Sequence, residues 1–288
     1  MLRNSHLSGM QLVWYVGYRL IVGLCILYIV APILIVIPLS FSSGSFLNYP
    51  LPGFSLKWYA TILEPYPWMF ALKNSFIIAL ATTVIATVLG TLAAYGFTSV
   101  EFRLKPLIMV MITCPLVIPV VITALALYFF MARLGLLGSY AALIISHTVL
   151  ALPFVFITVT ATLQGFDRTV VRAAISLGAS PLRAFLTTTL PLNLPGIFAG
   201  AVFAFIASFD DVVIALFLAS PAQQTLPRQL FGGLRDQMDP SLVAIATLVI
   251  ALSVVLFASI SFLHRWSQHM HGKTPPGAPK SSTAQQSA

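Results

Sequence analysis

The chain has 288 residues, of which 59% are hydrophobic and only 8% charged, with a mean hydropathy of +0.97. Soluble domains carry about 25% charged residues, so a water-soluble core is excluded and an integral membrane protein is indicated. The net charge of +8 comes from basic residues scattered at the ends of apolar runs; this excludes a nucleic-acid patch and suits the cytoplasmic loops of a membrane protein.

Six apolar runs are long enough to cross about 30 Å of hydrocarbon, which takes roughly 20 residues. They cover 16–39, 75–98, 107–132, 140–163, 194–219 and 241–263. The first follows Arg3 and contains Arg19, is too long for a signal-peptide core and lacks a cleavage site, so it reads as an uncleaved anchor. The loop at 40–73 carries Trp58, Tyr59, Tyr66 and Trp68, rings suited to the headgroup region. Pro32, Pro115, Pro119 and Pro153 lie within spans, where kinks are expected. Cys25 and Cys114 sit in apolar runs and predict no disulfide. His147 stands alone on the fourth span and reads as a packed, hydrogen-bonded histidine rather than a ligand.

The segment 164–193 is polar where its neighbours are apolar. Asp167 can cap a helix over 168–177, and Gly178 can end it in the left-handed conformation. Ser180 then caps a second helix with Pro181 at its first position. Leu182, Phe185, Leu186 and Leu190 fall on one face, expected to lie against the bundle, and Pro191 and Pro195 are expected to stop the helix and return the chain to the membrane. The product is a bent helical elbow with its other face left for a partner.

This pattern resembles the coupling loop of ABC-transporter permeases: Glu-Ala-Ala, three residues, Gly, and an apolar-x-Leu-Pro exit. The matching residues are Ala173, Ala174, Gly178, Ala179, Ser180, Pro181, Leu190 and Pro191; Arg172 stands where the family has Glu. FSLKWY, SHTVLALPF, SFDDVVIALF and DPSLVAIATL extend the resemblance to the spermidine/putrescine branch, second-permease type. In that family the loop docks on a cytoplasmic ATPase, so the reversed charge of Arg172 implies an acidic or neutral neighbour there.

In the fifth span Gly196, Gly200, Ala204 and Ser208 recur every four residues, a small-residue stripe that lets another helix approach closely. Asp211 falls near the stripe and Asp210 is rotated about 100° away. Counting about 1.5 Å per residue from Leu194 puts Asp210 roughly 24 Å up, within the bilayer. Carboxylates there need a partner or a cavity. They pair with His147 or a neighbouring subunit, cap broken backbone, or line a path for a cationic substrate.

With the N-terminus inside, Arg3, Arg19, Arg103, Lys105, Arg168, Arg172, Arg183, Arg265, Lys273 and Lys280 are cytoplasmic. Lys57, Lys73, Arg133, Arg228 and Arg235 are outside, a bias that puts the elbow and both termini in the cytoplasm. The tail from His271 is rich in Pro, Ser and Gln and reads as disordered. No phosphate-binding loop, zinc motif or nucleophile elbow occurs, so the sequence supports no enzymatic activity and no bound cofactor for this chain.

The expectation is an all-α polytopic protein with six transmembrane helices. Residues 1–15 form a cytoplasmic N-terminus, 16–263 the membrane domain with its loop at 164–193, and 264–288 a cytoplasmic tail. The resemblance implies a type I ABC importer permease of a bacterial inner membrane. It implies a second homologous permease, an ATPase dimer that uses ATP and Mg, and a periplasmic binding protein as partners. A polyamine-like cationic amine is the implied cargo. The alternatives are another cargo in the same family, such as an amino-acid-derived amine or a phosphonate, and a self-sufficient secondary transporter.

Overall fold

The computed structural model describes residues 9–236 and 240–271. The expected N-terminus and tail therefore lie partly outside the described residues. In chain order the helices are α1 (Gly9–Leu39), α2 (Lys57–Ile62), α3 (Phe70–Ser99), α4 (Lys105–Val117), α5 (Val120–Arg133) and α6 (Tyr140–Gln164). They continue with α7 (Thr169–Ser176), α8 (Pro181–Ala184), α9 (Leu190–Phe209), α10 (Val213–Leu218), α11 (Leu226–Asp236) and α12 (Pro240–His271). Among the described residues there is no strand, only an isolated bridge between Ser42 and Phe54. Helices dominate because each satisfies its own backbone donors and acceptors in an apolar medium. Polar side chains inside them turn back on their own backbone: Thr83 donates to the Ala79 carbonyl at 2.6 Å and Thr158 to the Phe154 carbonyl at 2.7 Å.

Four stretches are long and apolar enough to cross a membrane: Val13–Leu39, Tyr66–Ser99, Tyr140–Gln164 and Pro181–Phe209. Two differences from the expected spans have clear causes. The third span is not one helix: α4 and α5 meet at 102°. Pro119 forces the residue before it out of the helical region, and Ile118 is extended at φ −70°, ψ 134°. The fifth span starts earlier than residue 194, because the helix does not stop at Pro191 or Pro195, and its helix ends at Phe209, directly ahead of the two aspartates. The turn Phe185–Thr189 widens to π spacing, with the Leu190 N–H bonded to the Phe185 carbonyl, and so accommodates Pro191 just beyond it. Asn193 Nδ2 donates to the Thr189 carbonyl at 2.7 Å. The sixth helix is present as α12, apolar over Pro240–Val255.

The chain divides into two contact units. The first, Met1–Lys73 with Gln224–Ala251, contains α1, α2, α11 and the start of α12. Its loop after α1 is folded rather than loose. Ser40 Oγ bonds Tyr59 Oη at 2.7 Å, and Lys57 Nζ donates to the Ser43 carbonyl at 2.6 Å. Trp68, read from sequence as an interfacial anchor, is instead buried, only 5% exposed.

The second unit, Asn74–Gln223 with Leu252–Ala288, holds both residue groups of functional interest. Its centre is α6, with Ala151, Val155, Phe156 and Val159 fully buried. Val155 is gripped from two sides by glycines. A Cβ on Gly90 of α3 would lie 2.8 Å from the Val155 Cβ, and one on Gly200 of α9 would lie 3.2 Å from the Val155 Cα. One turn away a Cβ on Gly196 would come within 2.7 Å of the Thr162 Cβ. Gly196, Gly200, Ala204 and Ser208 are all buried.

Gly196→Val cannot be absorbed without moving α9 off α6, and overpacking of this kind costs about 1–3 kcal/mol. A lowered melting temperature in detergent is expected. Gly96→Ala, with nothing within 4 Å of the new methyl, should leave the melting temperature unchanged or raised.

Candidate functional site

The elbow begins where α6 ends. Asp167 Oδ1 accepts from the Thr169 N–H at 2.9 Å and Oδ2 from the Thr169 hydroxyl at 2.7 Å. These bonds, the hydroxyl's first, hold the Asp167 carboxyl below the usual carboxylate range. At the far end of α7 the Ala179 N–H bonds the Ala174 carbonyl at 3.1 Å and the Gly178 N–H bonds the Ile175 carbonyl at 2.9 Å. This pair of bonds is the Schellman closure, and it requires a left-handed residue at Gly178, where φ is 91°. Ser180 Oγ then accepts from the Arg183 N–H at 3.3 Å and Pro181 opens α8. Three consecutive devices, each closed by bonds within the segment itself, thus fix the corner.

The faces of the elbow differ from the sequence expectation. Of the four residues expected against the bundle, only Phe185 is buried, its ring 4.4 Å from that of Tyr95. Leu182 and Leu186 are 69% and 50% exposed, and Leu177 at the corner is 89% exposed. Phe185 and Thr189 form the buried stripe, four residues apart, so Leu182 and Leu186 lie on the neighbouring stripe and face outward. Beneath the elbow lies a cavity of about 440 Å³ with Thr98, Arg168, Arg172 and Thr189 in its walls. Arg168, which did not stand out in the sequence, donates from its guanidinium to the Thr98 carbonyl at the end of α3.

The second group of residues lies at the other end of α9. The helix ends at Phe209, Asp210 follows as an exposed residue, and α10 starts at Val213. Asp211 Oδ2 accepts from the N–H groups of Ile214 at 2.9 Å and Ala215 at 3.3 Å, so its carboxylate caps α10. The same oxygen is 3.6 Å from His147 Nε2, while His147 Nδ1 bonds Ser208 Oγ at 2.8 Å. His147 is fully enclosed, and its hydrogen-bond partner is the last residue of the small-residue stripe. Phe209 packs on Phe205 and Phe76, with ring centroids 5.4 and 5.2 Å away. The two aspartates therefore have different surroundings: Asp211 is used by backbone and lies beside His147, and Asp210 is open. The sequence signal for the cap was an Asp directly ahead of the apolar run Val212–Leu218.

Residues 86–269 match the family described as binding-protein-dependent transport system inner membrane component. The spermidine/putrescine transport system permease protein PotC of Escherichia coli (strain K12) is 32% identical over 239 residues, covering 83% of this chain and 90% of PotC. The putrescine transport system permease protein PotI of the same strain is 34% identical over 246 residues, covering 83% of this chain and 86% of PotI. Among solved structures, a chain of a bacterial ABC transporter involved in the import of the acidic polysaccharide alginate matches with a TM-score of 0.74 at 15% identity. The match covers 90% of this chain and 99% of that one. This chain belongs to the family of binding-protein-dependent transport system inner membrane components. It has the fold of an ABC-importer permease and is a multi-pass membrane protein.

Removing the Asp211 cap frees two buried N–H groups. Asp211→Ala should lower thermal stability by about 0.5–2 kcal/mol, and Asp211→Asn, which keeps an acceptor, by less. Melting of the purified protein in detergent checks the order.

Proposed function

We propose that this chain is a permease subunit of an ATP-driven importer that carries a polyamine-like cationic amine across a bacterial inner membrane. The observation that carries the coupling role is the elbow: a corner closed by its own backbone bonds, presenting Leu177, Leu182 and Leu186 outward. An exposed apolar face on a rigid corner is what a partner can grip and move. The partner is a cytoplasmic ATPase, bound as a dimer that uses ATP and Mg; this chain supplies no ATP site. The excess of Lys and Arg around the elbow and the N-terminus supports a cytoplasmic position for both. A second, homologous permease completes the pathway and a periplasmic binding protein delivers the cargo. The apolar window of α1, none of it buried in this chain, leaves a long face for such a neighbour or for lipid.

The polyamine assignment rests on the likeness to PotC and PotI and on the open carboxylate of Asp210 beyond the end of α9. An exposed carboxylate attracts an ammonium group, whereas Asp211 is held by helix capping. Alternating access then follows from the elbow. ATP binding closes the ATPases, the corner moves as a rigid body, and α9 carries that movement toward Asp210.

Two substitutions test the two halves of this reading in the complex reconstituted in vesicles. Gly178→Val meets no steric obstacle but must hold a branched residue at positive φ, so the corner should open. The expected result is normal insertion with uptake uncoupled from ATP hydrolysis, or with the ATPase lost on purification. Normal uptake with full recovery of the complex would remove the coupling role. Asp210→Asn is expected to cut uptake of putrescine or spermidine while assembly and basal hydrolysis persist. Unchanged uptake would take Asp210 out of the substrate path.

A further inference from the structure

The cavity beneath the elbow carries two arginines that the transport path does not use. Arg168 and Arg172 both line it, one helical turn apart at the start of α7. Neither arginine takes part in an ion pair among the described residues. A guanidinium has five N–H donors, and Arg168 directs one to the Thr98 carbonyl, which fixes its side chain and leaves donors over. The acidic neighbour, Asp167, does not line the cavity; its oxygens accept from Thr169, and it attracts Arg172 without forming an ion pair. Thr189 closes the cavity from the π turn. It is 3% exposed, and its hydroxyl has no hydrogen-bond partner.

The position of the cavity narrows what would enter it. Thr98 and Ser99 end α3, Leu163 lies at the end of α6, and both helices are apolar spans. The cavity therefore lies beside the C-terminal ends of two apolar spans. Its remaining walls, Tyr95, Leu163, Phe166 and Val171, are largely apolar. The carbonyl ends of α3 and α6 alone would repel an anion, and the bond from Arg168 to Thr98 covers one of them. Two guanidiniums beside the ends of two apolar spans, over apolar walls, suit a phosphate oxyanion with hydrocarbon attached. Paired arginines favour phosphate because their donor forks match its oxygens.

We infer that the Arg168–Arg172 cavity is a phosphate-binding site that holds the headgroup of an anionic phospholipid beneath the elbow. A phosphate there ties α7 to the ends of α3 and α6 and gives the elbow a fixed seat at the membrane surface. The site makes lipid composition a determinant of how firmly the elbow is held.

The test uses the complete complex in nanodiscs that contain phosphatidylglycerol and phosphatidylcholine, followed by extraction and native mass spectrometry of the retained lipid. The wild type is expected to keep phosphatidylglycerol over phosphatidylcholine. In the Arg168→Gln/Arg172→Gln double variant the preference should fall about tenfold or more, the size of effect that charge-assisted hydrogen bonds carry. Thr189→Val keeps the branched shape and should lower the preference by a smaller factor. Arg183→Gln, which removes the same charge from an exposed position outside the cavity, should leave it unchanged. Inorganic phosphate that displaces the lipid would show that the oxyanion alone suffices. Failure to displace would show that the diester and its chains are needed, and either result upholds the site. Absence of any preference in the wild type, or its persistence in the double variant, overturns the inference. Loss of the ATPase from the double variant with no lipid preference in the wild type would also overturn it, and would give the arginines to a protein contact instead.

Discussion

The close approach of α9 to α6 sets the position of everything else in the second unit. It is possible only because Gly196 and Gly200 present no side chain to Thr162 and Val155. Between two apolar helices in a bilayer there is no hydrophobic driving force, so close packing and a few polar bonds must hold the pair. Both are present: the glycine contacts run along the middle of α9, and Ser208 bonds His147 at its end. The other end of the same helix continues, through the π turn, into α8 and the corner at Gly178.

This continuity gives the proposed mechanism its mechanical basis. Pro181–Phe209 is a single span in which the elbow and the aspartate pair are opposite ends of one element. A helix that stopped at Pro191 would have made the elbow a separate body joined by a hinge. The π turn removes that hinge by winding the backbone wide enough for the proline, and the Asn193 side chain adds a bond across it. The helix is interrupted instead at Asp210–Val212, and Asp211 supplies the partner for the free N–H groups of Ile214 and Ala215 where α10 begins. The break leaves Asp210 open at the end of the rod.

The parts of this structure that were legible in the sequence are those written in local backbone chemistry. Gly-Ala-Ser-Pro encodes a left-handed residue, a cap and a helix start in consecutive positions, and Gly178, Ser180 and Pro181 adopt those conformations. A four-residue repeat of small side chains marks a buried face whatever it packs against. Proline was less informative, because its effect depends on the turn before it. Pro119 breaks the third span almost to a right angle, while Pro153 and Pro195 lie inside continuous helices. Which stripe of α8 and the following π turn is buried was not legible, for a different reason. Helical period shows that Leu182 and Leu186 share a stripe, but burial of that stripe depends on the distant Tyr95, which receives Phe185 instead. Arg168 counted in the sequence only toward the charge bias, because a single arginine in a polar loop carries no pattern; its contact lies in reaching the end of α3.

Transmission by one rigid element can be measured directly in the assembled complex with spin labels at Leu182 and Phe203, two positions on the Pro181–Phe209 span with exposed side chains. Pulsed electron–electron resonance would read the distance between them without nucleotide and with a non-hydrolysable ATP analogue. If α8 and α9 move together, the distance distribution is narrow and the same in both states. A shift of several ångströms, or a second population on adding nucleotide, would show that the helix yields at the π turn and would contradict a rigid link between the elbow and Asp210.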